Sequence, residues 1–452
     1  MSRGVDLSDP RLRRLLLRVG LPSMLGLTIN ALYQAVDMAF VGMLGVGPVS
    51  AISAAAPLAL GMAALGEGVG VGAGAAISRA LGSGHDARVA KLISTAGAMV
   101  LALAVGLPLL LLVLGGELPF LFAGSSEAVG LAQDYAAVIV VGGGLILFQI
   151  LFDFIAIARG HTAFSMCTLM IAFGVNLALD PVLIFVLDLG VLGAAYATVI
   201  AAGVAVAIYL HYFLFGRAGL ALPDLLRRPR TALMGSIAAI GGPAAASTML
   251  TAFSFAVMYR IASDFGTESV AGLGIALRVL TIGMLPLAGF CLGAQTVVGH
   301  SWGGGDGART RHAVRTCLAM AVAYSAAYSL GVVLFASQTA GLFTHAAAAQ
   351  AYAVEAIAVM QPAFILAPLY IVAGMLMRAK GQAVTAGLLA LAPQGYVLLP
   401  IAILFSHAWG FGGLVAGHAL ATTLTAVVAA VLLQQDIGRP RVVRRVSVSP
   451  ID

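Results

Sequence analysis

Apolar residues fall along this chain in long blocks separated by short polar and basic punctuation. The blocks reach the ~20 residues a helix needs to cross a bilayer, and none alternates apolar and polar positions as a half-buried strand does. The punctuation predicts twelve spanning helices, at roughly 15–43, 49–79, 89–115, 128–157, 163–187, 190–215, 233–262, 269–299, 312–337, 348–377, 383–405 and 410–435. The pattern then repeats itself once, at a constant offset that carries Pro22 onto Pro243. The same offset carries Gly84-His85-Asp86-Ala87-Arg88 onto Gly305-Asp306-Gly307-Ala308-Arg309, and Arg159-Gly160-His161 onto Lys380-Gly381-Gln382. A duplicated hydrophobic chain is the usual build of a secondary transporter that binds its cargo between halves.

Composition agrees with the pattern. The chain is 61% hydrophobic and 9% charged, with a mean hydropathy of +1.04, more apolar surface than a soluble core can hide. In lipid every backbone polar group must be satisfied internally, which leaves helices as the spanning element here. The expected fold is therefore an all-α polytopic membrane protein, two parallel six-helix lobes related by pseudo-two-fold symmetry. The lobes are expected at 1–216 and 232–452, joined by a basic cytoplasmic linker at 217–231. A net charge of +6 invites a nucleic-acid partner, but the charges argue for topology instead. Of 24 Lys and Arg, 22 fall on one side of the twelve-span arrangement, leaving only Arg260 and Arg278 elsewhere. By the positive-inside rule both termini are cytoplasmic. Cys167, Cys291 and Cys317 lie inside apolar segments and suggest no disulfide framework. No cleavable signal peptide is expected, since the first apolar stretch is too long and lacks a small-residue cleavage pattern.

A carboxylate at membrane depth costs roughly 2.5–3.5 kcal/mol on the insertion scale and so needs a reason. The candidates are Asp37, Glu67, Asp134, Asp153, Asp180 and Glu355. Asn30, Gln34 and Asp37 share one face of a helix, and Asn176 and Asp180 share another. Asp37, Asp180 and Thr198 each lie eight residues from an outer turn, ~12 Å deep at 1.5 Å per residue. Two carboxylates, an amide and a hydroxyl at one depth can hold a proton or a cation. Asp153 is nearer the cytoplasm and reads equally as functional or structural. Asp134 and Glu355 are repeat-equivalent and sit early in their spans, which favours a helix-end role. The repeat offset takes Asp37, Asn176 and Asp180 to Met258, Val397 and Ile401, so coupling chemistry belongs to the first lobe. The alternate glycines Gly66 to Gly74 follow no strand and lie within a span, where they allow close helix packing rather than nucleotide binding. Gly303-Gly304-Gly305-Asp306 resembles an intramembrane aspartyl-protease string, but it sits in a basic loop opposite a histidine in the repeat. Walker A is absent, so ATP is not the evident energy source.

These motifs resemble the multidrug and toxic compound extrusion (MATE) family. Gly20-Leu21-Pro22 through Asp37-Met38-Ala39-Phe40-Val41-Gly42 is similar to its first helix. Ala80-Leu81-Gly82-Ser83-Gly84 resembles its loop after helix 2, and Ala158-Arg159-Gly160 the signature after helix 4. Asn176-Leu177-Ala178-Leu179-Asp180-Pro181, followed by Leu189-Gly190-Val191-Leu192-Gly193-Ala194-Ala195, is the most specific stretch. The likeness is to the DinF-type branch, which uses an acid on helix 1, an Asn and an Asp on helix 5 and a Thr on helix 6. Here these are Asp37, Asn176, Asp180 and Thr198, with Gln34 beside them and Asp153 where that branch often shows an Asn.

The resemblance implies a monomeric exporter in the cytoplasmic membrane, not an enzyme. It would move lipophilic, often cationic small molecules by alternating access in exchange for H⁺, or for Na⁺ held at Asp37, Asn176, Asp180 and Thr198. It would need no cofactor beyond the coupling ion. Asn30, Tyr33, Met38, Met170 and Met258 form the candidate substrate cavity, with methionine as an adaptable wall. The alternatives are a lipid-linked precursor flippase of the same superfamily, an intramembrane acid-pair protease, and a channel.

Overall fold

A computed structural model describes residues 5–44, 46–113, 126–215 and 229–438, and their regular structure is helical throughout. The helices are α1 Leu12–Gly42, α2 Val46–Gly82, α3 Asp86–Val113, α4 Ser126–Ala158, α5 Thr162–Pro181 and α6 Gly190–Phe215. After the linker come α7 Thr231–Ala262, α8 Thr267–Gly303, α9 Gly307–Leu334, the short α10 Ala336–Gly341, α11 Ala347–Phe364, α12 Ala367–Lys380, α13 Ala383–Leu391 and α14 Leu398–Gly438. The repeat is structural. The offset that pairs Pro22 with Pro243 also takes the end of α2 at Gly82 to the end of α8 at Gly303, and lays both ends of α3 on those of α9.

The turns explain why. Gly84, Gly305, Gly160 and Gly381 all take left-handed angles, with φ of 72°, 77°, 81° and 78°. In each case the next residue's N–H reaches back across the turn, as from His85 to Ala80 and from Asp306 to Ser301, both at 3.1 Å. These are Schellman caps, which satisfy the last carbonyls of a helix and need a residue without a Cβ penalty. The Asp306 carboxylate then accepts from the Arg309 N–H at 2.8 Å and opens α9.

Among the described residues nine helices are long and apolar enough to cross a membrane. A tenth span counts if the bent pair Ala347–Phe364 and Ala367–Lys380 is one crossing, with a 44° bend. Of the expected twelve, the first is the 31-residue α1, part of which lies outside the described side chains, and the eleventh falls short of this measure. The first helix opens with Arg13, Arg14 and Arg18. The expected span at 383–405 is interrupted between Leu391 and Leu398, around Pro393, which lacks the N–H that would continue the helix. The expected break before the last span survives only as a kink in α14, where Trp409 and Gly410 leave helical angles.

The chain forms two compact units. The first is Leu25–Ala245 with residues 5–6, and the second is Leu7–Met24 with the chain from Ala246 onward. The outlines of these units differ from the lobes expected at 1–216 and 232–452 in that α1 and α7 are each divided between them. Small residues are the cause. A Cβ on Gly289 of α8 would stand 2.6 Å from the Ser23 carbonyl oxygen and 2.7 Å from the Met24 Cα, so the start of α1 is held by the second unit. A Cβ on Gly68 of α2 would stand 2.9 Å from both the Gly241 oxygen and the Ala245 Cβ, which holds the start of α7 in the first. The glycine run in α2 thus serves close helix approach.

Candidate functional site

The site lies in the first unit, where α1, α5 and α6 bring their polar faces together. Asn176 and Asp180, one turn apart on α5, are both fully buried. The Asn176 amide donates to the Thr198 hydroxyl at 3.4 Å, and that hydroxyl donates to the Ala194 carbonyl at 3.0 Å. The carboxyls of Asp37 and Asp180 lie close enough to interact directly. The second oxygen of Asp37, Oδ1, is buried without a hydrogen-bond partner among the described residues. An ionised carboxylate has no donor, so a bond between two carboxyls requires that one of them carry a proton.

The backbone after Asp180 is unusual for a mechanical reason. Pro181 cannot donate to the preceding turn, and the helix loosens into a π turn at Val182–Val186 rather than ending. The Leu187 N–H reaches Val182 at 2.9 Å, and the chain then turns through Asp188 and Gly190, both with φ of 53°. The Asp180-Pro181 pair therefore does more than terminate a span. Gly193 on α6 lets the π turn pack against it, since a Cβ there would lie 2.7 Å from the Leu183 carbonyl carbon and 2.8 Å from the Ile184 nitrogen.

Tyr135 of α4 lies within electrostatic reach of both Asp37 and Asp180 and packs against the buried cluster of Val41, Ile52, Ile184, Val191 and Ala194. Sequence reasoning passed over it. Its only signal was a position one residue after Asp134, on the next face of the helix. Asp134 itself is exposed, as is Glu355.

Asp153 lies elsewhere. Its carboxylate accepts from the Ser165 hydroxyl and from the Tyr209 hydroxyl, the latter at 2.8 Å. Tyr209 is eleven residues beyond Thr198 on α6, and Ser165 is eleven before Asn176 on α5, so the two polar groups are ~16 Å apart along both helices. Aromatic rings of Phe152, Phe164 and Phe213 surround Tyr209.

Of the expected cavity residues, Asn30 is partly buried and Met170 is 48% exposed. Met258, in the second unit, is fully buried. The side chains of Tyr33, Gln34 and Met38 lie outside the described residues. No group of three or more His, Cys, Asp or Glu suited to a metal occurs among the described residues.

A duplicated set of membrane-length helices with a paired acid in one unit defines a membrane transporter rather than an enzyme. The chain belongs to the MatE family, whose model matches it twice, over residues 22–182 and 243–403. The two matches are themselves related by the offset of the repeat. The multidrug export protein MepA of Staphylococcus aureus (strain MRSA252) is 26% identical over 422 residues, covering 92% of each chain. Its counterpart in Staphylococcus saprophyticus is 25% identical over 424 residues. Among solved structures, a MATE in complex with MaL6 has a TM-score of 0.90 at 24% identity, covering 97% of this chain and 99% of that one. An outward-facing multidrug resistance MATE family transporter of the MOP superfamily has a TM-score of 0.89 at 24% identity, covering 97% and 98%. At this identity the structural likeness speaks to fold.

Proposed function

We propose that the protein exports lipophilic, cationic small molecules across the cytoplasmic membrane in exchange for protons, as a monomer with both termini in the cytosol. The observation that carries this reading is the contact between the Asp37 and Asp180 carboxyls, in a chain whose relatives are named multidrug export proteins. The shared proton is the cargo of the return stroke. When it leaves, two anions face each other beside α1, and the helix gains a reason to repack. Asn176 and Thr198 hold the Asp180 side of the pair in place, and Tyr135 stands close enough to follow its charge. Placing the acids on helices 1 and 5 of the first unit supports the DinF-type likeness. One proton crossing 100 mV supplies ~2.3 kcal/mol, about a fifty-fold gradient of a neutral substrate; for a monovalent cation exported in exchange the electrical terms cancel and the pH difference drives the cycle.

The test is dye transport in proteoliposomes with one gradient imposed at a time. A pH gradient without sodium should move a lipophilic cationic dye. Asp37→Asn and Asp180→Asn should each remove that dependence in protein that is still folded and inserted, because the amide has the same shape but cannot cycle a charge. Movement only with sodium would turn Asp37, Asn176, Asp180 and Thr198 into a sodium site, for which they offer hard oxygen ligands. Full pH-driven transport by the Asp37→Asn protein would refute the assignment.

A further inference from the structure

Only Arg260 and Arg278 depart from the cytosolic clustering of positive charge, and their surroundings differ. Arg260 is exposed and paired with Asp264 at 2.7 Å. Arg278 lies eleven residues into α8, ~16 Å along the helix from its start at Thr267. Among the described residues no carboxylate pairs with it. A guanidinium at such depth costs about 2.5–3.5 kcal/mol on the insertion scale, a cost that an anion beside it offsets.

Arg278 stands on the wall of a cavity of about 440 Å³, within the range of small-molecule sites. Phe255 and Tyr259 of α7 and Phe343 are its aromatic lining. Gly274, one turn before Arg278, lies beside Tyr259, whose ring would be in ordinary contact with a Cβ there, at 3.6 Å. Tyr259 and Arg278 both line this cavity. Thr281, one turn further along, donates its own hydrogen to the Leu277 carbonyl at 2.8 Å. The remaining donors are the five N–H groups of a guanidinium fork and one phenolic O–H, an array that matches a carboxylate or phosphate. The repeat equivalents of Arg278 and Tyr259 are Pro57 and Met38, so the array is no relic of the shared scaffold.

We propose that this cavity binds the acid group of an amphiphilic organic anion. Arg278 takes the carboxylate or phosphate through parallel N–H bonds, Tyr259 donates a further bond, and Phe255 and Phe343 receive the apolar body. The inference goes beyond export and does not depend on it, since it concerns equilibrium binding.

The test is fluorescence anisotropy of 1-pyrenebutyrate and of its uncharged methyl ester, with the full chain in phosphatidylcholine nanodiscs and empty nanodiscs subtracted. The native chain should favour the acid by about tenfold, the size of one charge-assisted bond. Arg278→Gln should erase the preference, Arg278→Lys should keep part of it, and Tyr259→Phe should reduce it. Arg278 is exposed, so these variants should fold. Displacement of the acid by phosphatidylglycerol from the native chain, and not from Arg278→Gln, would assign the site to a lipid headgroup; indifference to that lipid would assign it to a soluble anion. Equal binding of acid and ester by the native chain, or a preference that survives Arg278→Gln, would overturn the proposal.

Discussion

Replacing Gly193 by alanine tests whether the π turn beside Asp180 is a working part of the site. In an ordinary helix the exchange should stabilise by about 0.8–1.0 kcal/mol, because alanine has the higher propensity. At Gly193 the new methyl would meet the Leu183 carbonyl carbon at 2.7 Å and the Ile184 nitrogen at 2.8 Å. Comfortable contact begins near 3.5 Å, so the turn must retreat by ~0.7–0.8 Å. Both neighbours are backbone atoms, which no rotamer change can move aside. Overpacking of this kind costs about 1–3 kcal/mol and outweighs the propensity gain, leaving a net loss of about 1 kcal/mol. The functional effect should be larger than the stability effect. The bond from Asn176 to Thr198 is already long at 3.4 Å, and a shift of that size between α5 and α6 would break it. Gly174→Ala is the control, since a Cβ there meets nothing within 4 Å. Thermal unfolding of purified protein should show Gly193→Ala below the native midpoint and Gly174→Ala at or above it, with dye transport lost several-fold only in the first. Indistinguishable melting and transport for the two variants would refute the argument.

Asp153→Asn should keep most transport and stability, because the amide oxygen still accepts from Ser165 and Tyr209. Asp153→Ala should lose about 1–3 kcal/mol by leaving those hydroxyls unsatisfied, read by thermal unfolding. Loss of pH-driven transport in a stable Asp153→Asn protein would instead bring this carboxylate into the coupling path. Reporter fusions between spans six and seven, and beside Asp264, should report opposite sides of the membrane; a shared side would end the topology argued from the arginines.

Much of the fold was legible because its signals are local. Hydrophobic run length gave the helices, and the repeat-related glycines that close them, Gly84 with Gly305 and Gly160 with Gly381, were visible as motif matches. The division of α1 and α7 between units was not legible. It depends on which distant helix accepts a close approach at Gly289 or Gly68, a tertiary choice that run length does not encode. The Asp37, Asn176, Asp180 and Thr198 set was readable from periodicity and depth because all four sit on regular helices counted from marked turns. Tyr135 was missed because a tyrosine on an apolar helix carries no such mark, and Asp153 stayed ambiguous because its partners come from two other helices. Composition did not separate the two places a methionine suits, a cavity wall and a packed core, and Met258 is fully buried.

The two units share their backbone devices and not their membrane-depth chemistry, which bears on what kind of transport they can perform. The end of α2, both ends of α3 and the left-handed Gly84 and Gly160 recur at α8, α9, Gly305 and Gly381, because a turn that fails to close disrupts the unit whatever its function. Side chains at membrane depth face no such constraint and have diverged. Asp37, Asn176 and Asp180 stand where the second unit has Met258, Val397 and Ile401, while Arg278 stands where the first has Pro57. A channel filter draws equivalent groups from its repeats, so that an ion meets the same field on every side. A carrier coupled to a fixed number of ions needs one acid set per cycle, and a second matching set would only add proton states to be cleared. Divergence of the acids within a preserved duplicated backbone therefore favours stoichiometric exchange. It also predicts that installing Met258→Asp in the second unit should slow transport rather than double its coupling, measured as protons moved per dye; a doubled ratio would show that the scaffold, and not the asymmetry, sets the count.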